Sequence, residues 1–330
     1  MKPTRHPLAL AAALSTLALA CFAGAAAAQS FPTKPIRVVV PFPPGGVDVT
    51  LRLMQNTMAE DLGQPLVLEN RAGANGYIGT EYVAHSPPDG YTILATSSST
   101  LIAGPLVSTS VPFDTVKDFA PIVQIFSTVS VMLVKPSLQI NTVQELIDFA
   151  RRNPGKLSYA STGIGSAQHL DAETFKYAAG VDLVHIPYKG FGPVAQAVMG
   201  GEVDVSYVTV QTGKPLLAAG KAKLLATYNG PRPSFLPRVP DLAEAVPGFK
   251  AGAGFIGLLA PAATPSAVVR RLNAAAVKSL RVPDVVAKVE DGGSVVVANS
   301  PEEFAAEIKS SLEDTGKIVK ALRTRGVKFE

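Results

Sequence analysis

Two loops in this 330-residue chain have a composition suited to holding a small anion. The first is Pro41-Phe42-Pro43-Pro44-Gly45-Gly46-Val47-Asp48, which follows a β-branched run and precedes a helical pattern. Gly45 and Gly46 let a ligand approach the backbone closely, and the open N–H groups of a helix start favour negative charge. Phe42 and Val47 belong to the same candidate set. Asp48 reads first as an N-cap and second as a ligand contact. The second loop is Ala160-Ser161-Thr162-Gly163-Ile164-Gly165-Ser166-Ala167-Gln168-His169. It also joins a strand to a helix, and Ser161, Thr162, Gly165 and Ser166 are its expected ligand contacts. His169 is compatible both with lining a cleft and with packing under the loop. A third candidate, Thr96-Ser97-Ser98-Ser99-Thr100, offers Ser98 and Ser99 at the end of a predicted strand.

Catalytic chemistry finds little support. Gly163-Ile164-Gly165-Ser166-Ala167 has the wrong spacing for a nucleophile elbow. As a dinucleotide fingerprint, Gly163-x-Gly165 has Gln168 where the third glycine belongs. His6, His85, His169 and His185 show no zinc-like spacing. No catalytic residue, cofactor or metal is expected.

The elements that must position these loops follow from periodicity. Ile36–Val40 predicts a strand, and Leu51, Met54, Met58 and Leu62 recur at helical spacing up to Gly63. Leu66–Leu68 and Tyr91–Ala95 predict strands around a helix near Tyr77–His85. Val131–Val134 is then a strand, and Thr142-x-x-Glu145 a capping box that opens a helix. Lys156–Ala160 predicts a strand, and Ser166–Ala179 a helix closed by Gly180. Thr264-Pro265 and Ser300-Pro301-x-Glu303 mark later helix starts, with Pro265 at the first helical position. This alternation indicates an α/β fold with mostly parallel sheets. Phe126–Val131 and Pro247–Gly254 are the best points for the chain to cross between two lobes. The glycines of the second are compatible with a hinge and with an ordinary loop. The expected division is a first lobe of residues 29–129 and 253–330 and a second of 130–252.

Residues 1–28 read as a secretory signal peptide, with Lys2 and Arg5, an apolar Leu8–Ala20 core and Ala26-Ala27-Ala28 before the cut. Cleavage after Ala28 removes Cys21, the only cysteine, and with it thiol and Cys-metal chemistry. Ala18, three positions before Cys21, is not the large aliphatic residue of a lipoprotein signal. Cleavage also removes Lys2 and Arg5, two units of the formal net charge of +4. The near-neutral remainder argues against nucleic acid as a partner.

Several motifs, in order and over nearly the whole mature length, carry a resemblance. They are Phe31-Pro32-x-Lys34-Pro35-Ile36-Arg37, Pro41-Phe42-Pro43-Pro44-Gly45-Gly46 and Glu69-Asn70-Arg71-x-Gly73-Ala74-x-Gly76-x-Ile78-Gly79. Further on are Pro88-Asp89-Gly90-Tyr91-Thr92, Asp118-Phe119-Ala120-Pro121, Pro154-Gly155-Lys156-Leu157-Ser158-Tyr159 and His185-Ile186-Pro187-Tyr188-Lys189-Gly190. With them the chain resembles the periplasmic substrate-binding receptors of tripartite tricarboxylate transporters, the Bug-type receptors. The resemblance implies a two-lobe periplasmic binding protein fold with the ligand cleft between lobes. It implies capture of a small organic acid, a di- or tricarboxylate or an aromatic carboxylate, held by the first two loops through backbone N–H groups and bridging water. The implied partners are membrane transporter subunits, or a sensor-kinase ectodomain in a signalling role without transport. The expected location is the periplasm and the expected state a monomer. The chain departs from the family in the single residue between Gly46 and Asp48 and in Val208, where relatives commonly carry an acid. Tyr207 and Val208 are therefore expected at the cleft, suiting a more apolar or aromatic acid.

Overall fold

The computed structural model describes residues 31–229, 232–252 and 254–329. The expected signal peptide, its cleavage point and Cys21 lie outside these residues, as does Ala253 at the expected lobe boundary.

Among the described residues, eleven strands form two sheets. The first contains β1 (Ile36–Val40), β2 (Leu66–Asn70), β3 (Thr92–Ser97), β4 (Phe119–Thr128), β10 (Phe255–Pro261) and β11 (Ser294–Val296), in the order β11-β4-β10-β3-β1-β2. The second contains β5 (Ser130–Val134), β6 (Ser158–Ser161), β7 (Val184–Pro187), β8 (Val205–Thr209) and β9 (Lys223–Tyr228), in the order β7-β6-β8-β5-β9. Helices α1 (Gly46–Leu62), α2 (Tyr77–Ala84), α3 (Gly104–Val107), α9 (Ser266–Leu280), α10 (Pro283–Asp291) and α11 (Pro301–Thr324) accompany the first sheet in sequence. Helices α4 (Val143–Arg152), α5 (Ala167–Ala179), α6 (Phe191–Gly200), α7 (Val210–Ala218) and α8 (Leu242–Ala245) accompany the second. The result is a two-lobe α/β protein.

Both sheets are mixed, so the expectation of mostly parallel sheets holds for only part of each. β1 pairs in parallel with β2 and β3, and β6 with β7 and β8. The antiparallel pairs involve β4, β5 and β10, the strands next to the crossings between lobes. A chain that runs straight out of one sheet and into another does not make the helical crossover that a parallel pair needs. Val129 alone separates β4 from β5.

Local sequence explains the elements that carry the loops. In α1, Leu51, Met54, Met58 and Leu62 are all buried, and Gly63 ends the helix in the left-handed region at φ +70. Arg271 and Lys278 of α9 both bind Asp61 near the end of α1, and these bonds hold the Asp61 carboxyl below its usual range. Thr142 and Ser300 cap α4 and α11 as their sequences predict. Pro265 stands at the N-cap of α9 rather than at its first helical position.

The second lobe's core packs Tyr159, Phe175, Tyr207 and Tyr228 around the fully buried Asp171 of α5. Asp171 Oδ1 accepts from Gly252 N at 2.8 Å, tying α5 to the returning crossing. Its Oδ2, and Tyr207 Oη, have no partner among the described residues. Burial pushes the Asp171 carboxyl up to about 7, against the opposing pull of the Gly252 bond. Above about pH 4 the unfolded chain has lost this proton, whereas the folded chain keeps it until about 7. The group therefore subtracts stability as pH rises across that window, by at most ~1.4 kcal/mol per pH unit. Asp171→Asn keeps an acceptor for Gly252 without that ionisation. Urea unfolding at pH 4.5, 5.5 and 6.5 is expected to show the variant gaining on the wild type at each step. A pH-independent difference contradicts this assignment.

Candidate functional site

The carboxyl ends of β1, β3, β6, β7 and β8 each lead into a helix start, and residues from all five junctions line one cavity of about 950 Å³. Open α/β sheets bind ligands at this end of their strands. From the first lobe come Phe42, Val47, Ser98 and Ser99, and from the second Thr162, Gly165 and Ser166. A neighbouring cavity of about 640 Å³ shares Val47, Thr128, Phe191, Thr209 and Ile256 with it. Among the described residues lining the main cavity, Lys189 is the one charged side chain.

The first loop is held by Asp48. Gly45 is the N-cap of α1, which puts Asp48 in the first turn rather than at the N-cap. Its Oδ2 accepts from Gly45 N at 3.1 Å and its Oδ1 from Asn70 Nδ2 at 3.0 Å. Asn70 also donates to Phe42 O at 3.0 Å, so β2 holds both ends of the loop. Asp48 is buried and both of its oxygens are engaged; its role here is structural. Val47 and Asp48 are already helical. Gly45 N–H is taken up by Asp48. The N–H groups of Gly46, Val47 and Asp48 lie before the first helical bond, Val49 N to Gly45 O.

The second loop rests on a column of rings. Gly165 N donates to His169 Nδ1 at 3.0 Å, which requires a bare Nδ1 and places the proton of a neutral ring on Nε2. His169 stacks on His185 at 4.1 Å and 9°, and His185 on Tyr159 at 4.7 Å and 13°. His185 Nε2 lies 2.7 Å from Ser161 Oγ. Gly165 has φ +73, and a Cβ there would come within 3.1 Å of Val107, so this position needs glycine. Ser166 caps α5 by accepting from His169 N at 3.2 Å. Thr162 Oγ1 donates to Gln168 Oε1 at 2.8 Å.

Several expected contacts are placed elsewhere. His169 is 3% exposed and supports the loop from below. Ser161 is fully buried, with Oγ turned to His185 and Gly163. Gly165 N–H points inward to His169, although Gly165 itself lines the cavity. Tyr207 and Val208 are fully buried in two different core clusters on either face of β8, so neither reaches the cleft. Neither residue bears on how apolar the ligand is. Ser98 lines the cavity while its Oγ accepts from Phe255 N at 3.2 Å.

Other lining residues were not anticipated. Ala167 and Gln168 open α5, and their N–H groups precede its first helical bond, Leu170 N to Ser166 O. Phe191 opens α6 and Thr209 caps α7. Both follow strands, so the rule that selected the first two loops also points to them. Tyr77, Phe255 and Phe329 add aromatic walls from the first lobe.

Fold and site together give a two-lobe α/β protein with a cavity lined from both lobes. The model of the tripartite tricarboxylate transporter family receptor matches residues 50–324, and the chain belongs to this family. A relative from Pseudomonas sp. (strain P51), the UPF0065 protein in the tcbD-tcbE intergenic region, is 37% identical over 312 residues, 93% of this chain and 92% of its own. The structure of R. palustris Rpa4515 with adipate is 32% identical, with a TM-score of 0.77 over 91% of this chain and 99% of that one. MatC (Rpa3494) from Rhodopseudomonas palustris with bound malate is 30% identical, with a TM-score of 0.73 over 88% and 100%.

Burial, with the nearby Lys176 charge, lowers His169 to about 4; burial, with His169 and Lys176 nearby, does the same to His185. Between pH 6.5 and 4 the unfolded chain takes up protons that the folded chain refuses, so these groups remove stability as pH falls through that window. His169→Gln is expected to flatten the decline by about one proton, read as unfolding free energy against pH. An unchanged slope contradicts the neutral role of His169. Asp48→Ala leaves Gly45 N–H without its side-chain acceptor and is expected to cost about 1–3 kcal/mol in urea unfolding. A loss below ~0.5 kcal/mol is the range of an ordinary surface change and contradicts the anchoring role.

Proposed function

We propose that this protein is a periplasmic receptor that captures a small organic carboxylate between its lobes and delivers it, unaltered, to a tripartite tricarboxylate-type membrane transporter. The observation that carries the reading is the convergence of helix starts from both lobes on a cavity whose described lining has no Asp or Glu side chain. Unpaired N–H groups at helix starts suit a carboxylate without a buried countercharge. The contacts assigned to the ligand are the N–H groups of Gly46, Val47, Ala167 and Gln168 and the hydroxyls of Ser98, Ser99 and Ser166; Thr162, whose hydroxyl proton goes to Gln168 Oε1, braces the loop instead. Bridging water completes them. The adipate and malate held by two relatives support the ligand class. The family supports the transporter partner. The basic start, apolar core and alanine exit of residues 1–28 support export, with cleavage after Ala28.

Thermal unfolding of residues 29–330 against adipate, malate, citrate, benzoate and nicotinate tests the ligand class. At least one acid at a hundredfold excess over its Kd is expected to add ~2.7 kcal/mol, a rise of several degrees. Amines, sugars and the matching amides are expected to give none. If no acid stabilises the protein while another ligand class does, the carboxylate reading is wrong.

A further inference from the structure

Phe329 lies beyond α11 in the first lobe, yet its ring meets the second. Its edge contacts His169 at 5.6 Å and 65°, on the ring that accepts Gly165 N. The guanidinium of Arg323 stands 5.9 Å from its centroid. It is 8% exposed and packs in one cluster with Ala103 and Val107 of the first lobe and Leu170 of the second. A Cβ on Gly165 would come 3.7 Å from Phe329 O. The ring is therefore fixed on several sides while it still lines the main cavity.

Two other lining rings of the first lobe make their ring contacts within that lobe. Tyr77 meets Phe113 at 6.0 Å and Phe255 meets Phe304 at 5.2 Å. Phe329 instead stands beside the second-lobe loop whose first-turn N–H groups are assigned to the ligand above. It thus limits the space next to the acid's carboxylate. We propose that Phe329 is a specificity-determining residue that sets the bulk and polarity of the acid body next to that carboxylate. The cleft then favours acids whose body is slender and apolar at that point over acids that are broad or carry a second charge there. The inference rests on the carboxylate reading above. An apolar wall discriminates by volume, and one or two carbon atoms too many or too few in such a pocket change affinity by roughly tenfold or more.

The test is calorimetric titration of residues 29–330, wild type and Phe329→Ala, Phe329→Leu and Phe329→Trp, with adipate, benzoate and 2-naphthoate. Unliganded melting of each variant checks the fold, and the leucine variant keeps an apolar side chain where alanine leaves a void. Phe329→Ala is expected to shift the 2-naphthoate-to-adipate affinity ratio at least tenfold toward the broad acid, Phe329→Leu in the same direction by less. Phe329→Trp is expected to shift it the opposite way. A ratio unchanged within twofold in the folded variants, or equal weakening of every acid, overturns the selecting role while leaving the carboxylate reading intact. A wild type that binds none of the three acids but binds another ligand class overturns both.

Discussion

A helix cannot satisfy the N–H groups of its own first turn. In this protein that constraint falls on helix starts that face one cavity, and the caps decide which donors remain. Asp48 takes Gly45 N–H and leaves those of Gly46, Val47 and its own backbone. Ser166 takes His169 N–H and leaves those of Ala167 and Gln168. Thr209 takes Thr212 N–H at the start of α7, and Val129 O takes Val210 N–H. Each cap thus removes one donor and aims the rest. The glycines, the bound ends of the first loop and the ring column under the second keep that selection in place.

The ring column shows what the selection costs. A charged imidazole close to an anion would strengthen Coulomb attraction, but His169 is sealed between His185, Phe329 and the loop. Desolvation holds it neutral, and neutrality is what lets Nδ1 accept Gly165 N–H. The histidine therefore contributes shape to the second loop and no charge. Tyr159 at the base of the column donates to Glu173, which also pairs with Lys176, so the charges of α5 are balanced away from the cavity.

Much of this was legible in the sequence because it is local. Apolar spacing in α1, the Thr142–Glu145 and Ser300–Glu303 caps and the Gly180 stop each lie within a few residues. The two cavity-lining loops were legible because strand, glycine and helix start follow one another directly. Tyr207 and Val208 were misplaced because β8 lies inside its sheet with both faces covered, so neither face of its alternation marks the cleft. β4 has no strand prediction, and only its end falls in the Phe126–Val131 crossing segment, because Pro121, Gln124 and Ser127 interrupt its apolar run. Phe329 was invisible, since it joins the site through contacts with residues more than a hundred positions earlier.

The division of donors between lobes bears on how such a receptor both holds and releases its ligand. α1 belongs to the first lobe and α5, α6 and α7 to the second, so the full donor set exists only where the lobes meet. A ligand shifts a conformational equilibrium only by its difference in affinity for the two states. An anion that bridges helix starts on both lobes has that difference built in, whereas an ion pair to one lobe would bind open and closed forms alike. A buried countercharge would also be left unpaired when the ligand departs, at a cost of several kcal/mol. N–H groups at a cleft can return to water as the lobes part. On the proposed reading, dividing backbone N–H and hydroxyl donors between two lobes ties capture to closure, and the one charged lining side chain, Lys189, is exposed and so is not stranded on release.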